Sequence, residues 1–396
     1  MKWRITNWEK ACNNVVLVLS VIIILISIKD WAAGTEMRDG VLHSKINNYL
    51  IFKNSFGILA EGGNLYDYHK DLHFDLYKYS PAFAMAMAPL YFLPDWLGLS
   101  IWNLLNFLCL YFGLKILPGL SEKKVLIIIG IGLLELLGSI MNEQSNGLMA
   151  GMIILSLALM ENKKTFWALG ILVISVYVKL FSIVFLSILL FYPNFLKNVG
   201  YALIWFVFLA IIPAIIIGTD QLIALYKSWA YLLANDHQMS QGYSLMGILN
   251  SWFGYFPNKL YLLICGLVLA ILPLFRYGRF SSRLFRYKFV AMLLAWVIVF
   301  NHKSESPTFI IAMTGIGLWY VIDKQKAWRS YFLLFALFAV SIAFSDAMPK
   351  LIREAFFYKY SMKALPCVVF LVIVLWELTF TRGENYTEEI DQFSVR

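Results

Sequence analysis

Apolar residues in this chain fall into long uninterrupted runs rather than recurring at the spacing of one amphipathic face. The first covers about residues 13–31, and others follow at about 98–117, 125–141, 146–160, 165–178, 180–192, 199–217, 259–275, 288–301, 307–322, 330–345 and 362–380. A helix needs roughly 20 mostly apolar residues to cross a bilayer core. The pattern therefore predicts an all-α, polytopic membrane bundle of about 12 crossings in one membrane domain. Pro81, Pro89 and Pro94 punctuate residues 81–94, which predicts a juxtamembrane or re-entrant piece rather than a full span. The longest polar intervals, about 32–80 and 218–258, are left as loops, with a short tail at 381–396.

Composition agrees: 60% of residues are hydrophobic and 14% charged, the balance of a chain whose solvent is lipid. The net charge of +9 would suggest nucleic acid in a soluble protein, but here the cations sit in short connectors, where they set topology, and no nucleic-acid partner is expected. Lys2, Arg4 and Lys10 precede the first run, which reads as a retained anchor, since Lys29-Asp30 ends it without a clear cleavage site. Lys123-Lys124, Lys163-Lys164, Lys197, Arg276 to Lys288 and Lys324 to Arg329 are then cytoplasmic, as are both termini. The location is a bacterial-type inner or plasma membrane. On this topology 32–80, Asn142–Asn146, Lys179, 218–258 and Asn301–Pro307 all emerge on the outer side. Cys12, Cys109, Cys265 and Cys367 are scattered without metal spacing and read as packing residues; no metal site is expected.

Three polar interruptions carry candidate chemistry. Lys179 breaks an apolar stretch from Phe166 to Phe191, where a cation costs on the order of 3 kcal/mol, so it either snorkels to an interface or meets an anionic ligand such as a phosphate. Met141–Asn146 is either a simple turn or a binding cluster built on Glu143, Gln144 and Asn146. Phe300–Pro307 places His302, Lys303 and Glu305 in a short break between spans, and His302 and Glu305 would share a face if that turn is helical.

The order of Asn48-Tyr49, Ile51-Phe52, Leu59, Gly62, Leu65-Tyr66, Tyr79-Ser80-Pro81, Pro89, Leu93-Pro94, Gln144-x-Asn146, Lys179 and Gln241 with Ser244-Leu245 resembles glycosyltransferase family 87, the polyprenyl-phosphate-mannose-dependent mannosyltransferase-like family of the GT-C superfamily. The resemblance runs over roughly residues 13–320. It implies an enzyme that passes a mannose-like hexose from a polyprenyl-phosphate sugar to an acceptor hydroxyl of a glycan or glycolipid at the outer leaflet, with inversion. No cofactor is implied beyond the lipid-linked donor. Such a reaction needs one carboxylate as general base and cations for the departing phosphate. Lys179, Lys78 and Lys303 are the candidate cations. Tyr79, Glu143, Gln144, Asn146 and Gln241 are candidates for substrate contact, and Tyr77, Tyr79, Trp229 and Trp252 suit either a sugar platform or an interfacial belt.

One departure bears on catalysis. Where the family carries its first-loop aspartate this chain has Asn48, and an amide accepts no proton at neutral pH. Three readings follow: another acid serves as base, with Glu305, Asp75, Glu143 and Asp39 available; His302, which resembles the family's late outer histidine, takes part; or transfer activity is lost. Glu305 with His302 is the favoured pair. A lipid transporter or flippase and an inactive scaffold are the competing classes, the former disfavoured because the two halves show no matching pair of interrupted segments.

Overall fold

A computed structural model describes residues 7–38, 41–235, 242–302, 304–324 and 326–381. Asp39, Gln241, Lys303 and nearly all of the 381–396 tail lie outside the described residues. The first apolar run is helix α1 (Asn7–Ala32). The interval expected as a loop after it contains a hairpin, β1 (Thr35–Arg38) antiparallel to β2 (Val41–Ser44), then α2 (Asn47–Ala60). Short helices α3 (Pro81–Ala86) and α4 (Ala88–Tyr91) occupy the proline-punctuated stretch and lead into α5 (Asp95–Lys115). Then come α6 (Glu122–Met141), α7 (Asn146–Glu161) and α8 (Thr165–Val178), a 3-10 helix at Leu180–Phe191, α9 (Phe195–Ile211) and α10 (Ala214–Asn235). The α-helices that follow, among shorter 3-10 and π turns, are α11 (Leu245–Phe253), α12 (Lys259–Ile271), α13 (Arg283–Phe300), α14 (Ile310–Ile322), α15 (Ala327–Ala336), one turn of α16 (Lys350–Ile352) and α17 (Leu365–Thr379).

The fold is all-α apart from that hairpin, and the protein is an integral, multi-pass membrane protein. Six helices among the described residues are long and apolar enough to cross a membrane, or seven if the bent pair α9–α10 is one span, beside four shorter apolar helices. The run expected to end at 217 instead breaks at Pro213, where α10 turns by 89° and continues to Asn235. Cys12 and Cys367 are buried as expected of packing residues, whereas Cys265 is exposed on α12, whose apolar side chains face outward.

Two compact units make up the chain. The first comprises Met1–Ile116, Leu137–Ile183 and Leu196–Gln238. Here α5 packs on α7 with backbones touching: a Cβ on Gly113 would lie 2.9 Å from Gly151 O, and one on Gly151 2.5 Å from Leu110 N. Lipid tails are as apolar as leucine, so close backbone approach through small residues is what holds membrane helices together. Two polar side chains inside the unit bond across helices. Asn103 Nδ2 donates to Ser27 Oγ at 2.9 Å, and Asn106 Oδ1 accepts from Leu148 N at 2.8 Å.

The second unit comprises Leu117–Leu136, Val184–Phe195 and Met239–Arg396. Its centre is α13, buried from Tyr287 to Phe300 between α14 and α17. Where these helices end, Lys288 pairs with Asp323 and, at 2.9 Å, with Glu377. Arg329 reaches Asp323 at 2.7 Å and Glu377 at 2.5 Å, and Trp319 Nε1 donates to Glu377 at 3.0 Å. Burial pushes the Asp323 carboxyl up, but the Lys288 and Arg329 charges beside it prevail and hold it below the ordinary carboxylate value. Two cations and two anions balance only as a set. Glu377→Gln should therefore cost about 3–5 kcal/mol, the usual loss when one partner of a buried pair is removed. The measurement is the thermal midpoint of the detergent-solubilised chain. Glu354→Gln, which breaks the exposed 3.8 Å pair with Lys350, should cost less than about 1 kcal/mol.

Candidate functional site

The first unit assembles the site from helix breaks stitched together by side chain to backbone hydrogen bonds. Two asparagines open α2 and point to different segments. Asn47 pairs with both backbone groups of Phe74: its Nδ2 donates to Phe74 O at 2.6 Å and its Oδ1 accepts from Phe74 N at 2.8 Å. Asn48 Nδ2 donates to Asn142 O at 2.9 Å. A carboxylate cannot donate, so the amide at position 48 is a strut here, tying α2 to the turn between α6 and α7.

That turn is a built structure. Glu143 has a left-handed backbone (φ 48°), and its carbonyl accepts from Trp102 Nε1 at 2.8 Å. Gln144 N closes back on Ser139 O at 3.0 Å. Asn146 then opens α7, buried, with its Oδ1 accepting from Lys179 Nζ at 2.6 Å. Lys179 stands at the end of α8 in an extended conformation (φ −140°, ψ 115°), the break its charge predicted. The structure thus places the Lys179 ammonium beside the N-terminus of a 16-residue helix, where the helix dipole also favours negative charge.

The Tyr79-Ser80-Pro81 junction has a local reason. Ser80 is the N-cap of α3, its hydroxyl accepting from Phe83 N at 3.1 Å, and Pro81 follows at the first helical position. The same hydroxyl donates to Tyr177 O at 2.6 Å, two residues before Lys179. Tyr66, whose hydroxyl burial keeps protonated, donates to Tyr79 O at 3.0 Å. Tyr77 is fully buried and donates to Ser80 O at 2.8 Å, so it serves the core and is no sugar platform; Trp229 Nε1 donates to Lys78 O at 3.1 Å. Lys78 and Asp75 form an ion pair at 3.9 Å on the rim of an open cavity of about 870 Å³, and Asp75 has a left-handed backbone (φ 84°). His73, whose Nδ1 lies 3.0 Å from Asp75 O, is lowered in pKa chiefly by burial.

In the second unit, the described residues of 301–305 are not helical, so His302 and Glu305 are not set on one helical face; a 3-10 turn begins only at Ser306. Ser304 Oγ donates to Ile298 O at 3.0 Å and Tyr243 N to Ser304 O at 2.7 Å, which draws the strand-like backbone of Glu305 (φ −94°, ψ 163°) away from the end of α13. Glu305 is exposed and His302 half-buried. Next to them Ser306 Oγ accepts from Lys363 Nζ at 2.6 Å, and Lys363, 2% exposed, pairs with Glu135 at 2.9 Å. Trp252 Nε1 donates to Tyr360 O at 2.8 Å. Sequence reading passed over this Lys363–Glu135 pair, although its signal was present: two opposite charges inside apolar runs. It also passed over Asn47, and it named Ser80 only as part of the Tyr79-Ser80-Pro81 junction; the partners of both are remote in sequence.

Set beside known proteins, residues 77–300, more than half of the chain, match the family described as glycosyltransferase family 87. The match takes in Lys78, Tyr79, Glu143, Gln144, Asn146, Lys179 and Gln241, while Asn48, Asp75, His302 and Glu305 lie outside it. No curated protein matches the chain. Among solved structures, the crystal structure of ArnT from Cupriavidus metallidurans bound to undecaprenyl phosphate is similar at a TM-score of 0.43 and 12% identity, over 92% of this chain and 77% of that one.

The strut at position 48 is open to test. Asn48→Asp removes a donor and sets a carboxylate against the Asn142 carbonyl, so the chain should lose about 1 kcal/mol, read as a lower thermal midpoint. A stability unchanged by the substitution would show that the amide does not hold the turn.

Proposed function

The chain belongs to glycosyltransferase family 87, and on that premise we propose that it moves a mannose-like hexose from a polyprenyl-phosphate sugar to a hydroxyl of an extracytoplasmic glycan or glycolipid, inverting the anomeric centre. The observation that carries this reading is the Lys179 ammonium held through Asn146 at the N-terminus of α7. A cation and a helix N-terminus converging at a break between apolar helices suit a lipid-borne phosphate, whose tail lies among the helices while its head needs positive charge.

The reaction is a single displacement. The acceptor oxygen bonds to the anomeric carbon as the bond from that carbon to the phosphate oxygen breaks. The acceptor proton passes to a carboxylate, and the electron pair leaves with the phosphate, where Lys179 stabilises it. Asp75 is the carboxylate of this unit that we assign to that role. It borders the cavity and is fixed through Phe74 to Asn47, and its left-handed backbone is the kind of local strain retained at functional sites. Glu305 is the second reading, favoured by its exposure beside a turn that the Lys363–Ser306 bond anchors. Asn48 acts as a strut and Lys78 as the partner of Asp75. The scheme calls on no metal or cofactor.

Two experiments test it. Lys179→Met keeps the apolar stem and loses a charge-assisted contact of roughly 1.5–3 kcal/mol, so donor affinity should fall about tenfold to a hundredfold with the fold intact; unchanged affinity returns Lys179 to a structural role. Asp75→Asn should reduce transfer by about 10²- to 10⁴-fold, the range for a general base, with donor binding kept, while Glu305→Gln stays active. The reverse pattern makes Glu305 the base, and full activity in both removes both.

A further inference from the structure

The cavity bordered by Asp75 and Lys78 has a second wall, formed by the last turns of α10. The two walls are tied to each other, Trp229 Nε1 to Lys78 O at 3.1 Å and Gln221 Nε2 to Gly62 O at 2.8 Å. The space is therefore held open by hydrogen bonds rather than made by chance separation of two loops. Its volume of about 870 Å³ falls in the range of roughly 300–1,000 Å³ typical of small-ligand sites.

We propose that this cavity is the acceptor subsite and that it takes a neutral, polyhydroxylated sugar. The inference rests on the transferase reading above and adds to it the chemistry of the acceptor and the residues of α10 that meet it. Charge is the first argument. Asp67 and Asp75 face Lys78 and Lys227 around one space, two acids against two bases. An anionic glycan or a phosphate calls for an excess of cations, whereas sugar hydroxyls, each donor and acceptor at once, are served by carboxylates and ammonium groups in equal number. Ring surface is the second argument. Tyr68 and Tyr231, 64% and 72% exposed, line the cavity; rings so exposed do nothing for the core, and they offer apolar faces for sugar C–H groups with a hydroxyl at the edge. Position is the third. The segment from Asp75 to Ser80 forms part of the wall at one end and is bonded at the other to Tyr177, two residues from Lys179. A sugar in the cavity thus sits against the proposed base, along the segment that leads to the proposed phosphate site.

The test uses the full chain in detergent, without donor, and saturation-transfer NMR with methyl α-D-mannopyranoside as probe and mannose 6-phosphate as its anionic counterpart. The neutral glycoside should show transfer, with the phosphorylated sugar at least fivefold weaker, and Tyr231→Ala should reduce the signal at least fivefold. Because Tyr231 is exposed, the variant should keep the thermal midpoint of the parent chain. Transfer equal in parent and Tyr231→Ala chains, or stronger for the phosphorylated sugar, overturns the proposal. A second arm identifies which substrate the cavity serves. Glycoside binding that survives in Lys179→Met and in the presence of a polyprenyl-phosphate hexose marks an acceptor site, while displacement by that donor shows that the cavity holds the donor's own sugar and overturns the acceptor assignment. Absence of donor binding in the parent chain, with glycoside binding retained, would fault the transferase reading and leave the sugar site standing.

Discussion

The paired amides at the start of α2 are the constraint on which the site depends. Helices that end within or beside a bilayer leave backbone groups without water, and each such group must find a partner. Asn47 and Asn48, successive residues pointing to different segments, supply those partners for the chain before Asp75 and for the turn that carries Glu143 to Asn146. Trp102, Ser80 and Trp229 do the same for Glu143, Tyr177 and Lys78. The working groups sit on chain breaks, and what fixes the breaks is a set of neutral hydrogen bonds from side chain to backbone.

The second unit uses charge for the same end. Lys363 is buried among apolar side chains, and its ammonium is balanced by Glu135, donates to Ser306 and lies 5.2 Å from the Phe309 ring centroid. Such a pair stabilises little in net terms, because desolvation offsets most of the attraction, but it specifies one arrangement strongly, since either charge alone would be costly. The turn that bears His302 and Glu305 is held in that way, as are the ends of α13, α14 and α17 by the Lys288, Asp323, Arg329 and Glu377 set.

Charge also separates the two ends of the proposed reaction. At Lys179 a cation adds to a helix N-terminus, an environment suited to a phosphate; around the cavity acids and bases cancel, an environment suited to a neutral sugar. An aspartate at position 48 would set a carboxylate against the Asn142 carbonyl and would forfeit the strut. The asparagine is thus explained by what it donates.

The apolar runs by themselves determined that the chain is helical and membrane-embedded, because twenty apolar residues in lipid have few alternatives to helix. They also located the breaks: the Lys179 boundary between α8 and the 3-10 helix, the Tyr79-Ser80-Pro81 junction and the Asn142–Asn146 turn all stand where polar residues interrupt the pattern. The tertiary structure alone decided what each break does. Ser80 and Tyr177 are 97 positions apart, and Asn48 and Asn142 are 94 apart; no local pattern encodes a bond whose partner is brought near by the packing of other helices. The same holds for α10, whose 89° turn at Pro213 made a cavity wall from residues that hydropathy had left in a loop. His302 and Glu305 differ in kind: they would share a face only if their turn were helical, and bonds from Ser304 to Ile298 and from Tyr243 to Ser304 hold the backbone in another course. Periodicity and the cost of bare backbone in lipid act within a segment, and so they are readable from it; hydrogen bonds between distant segments exist only once the helices have packed.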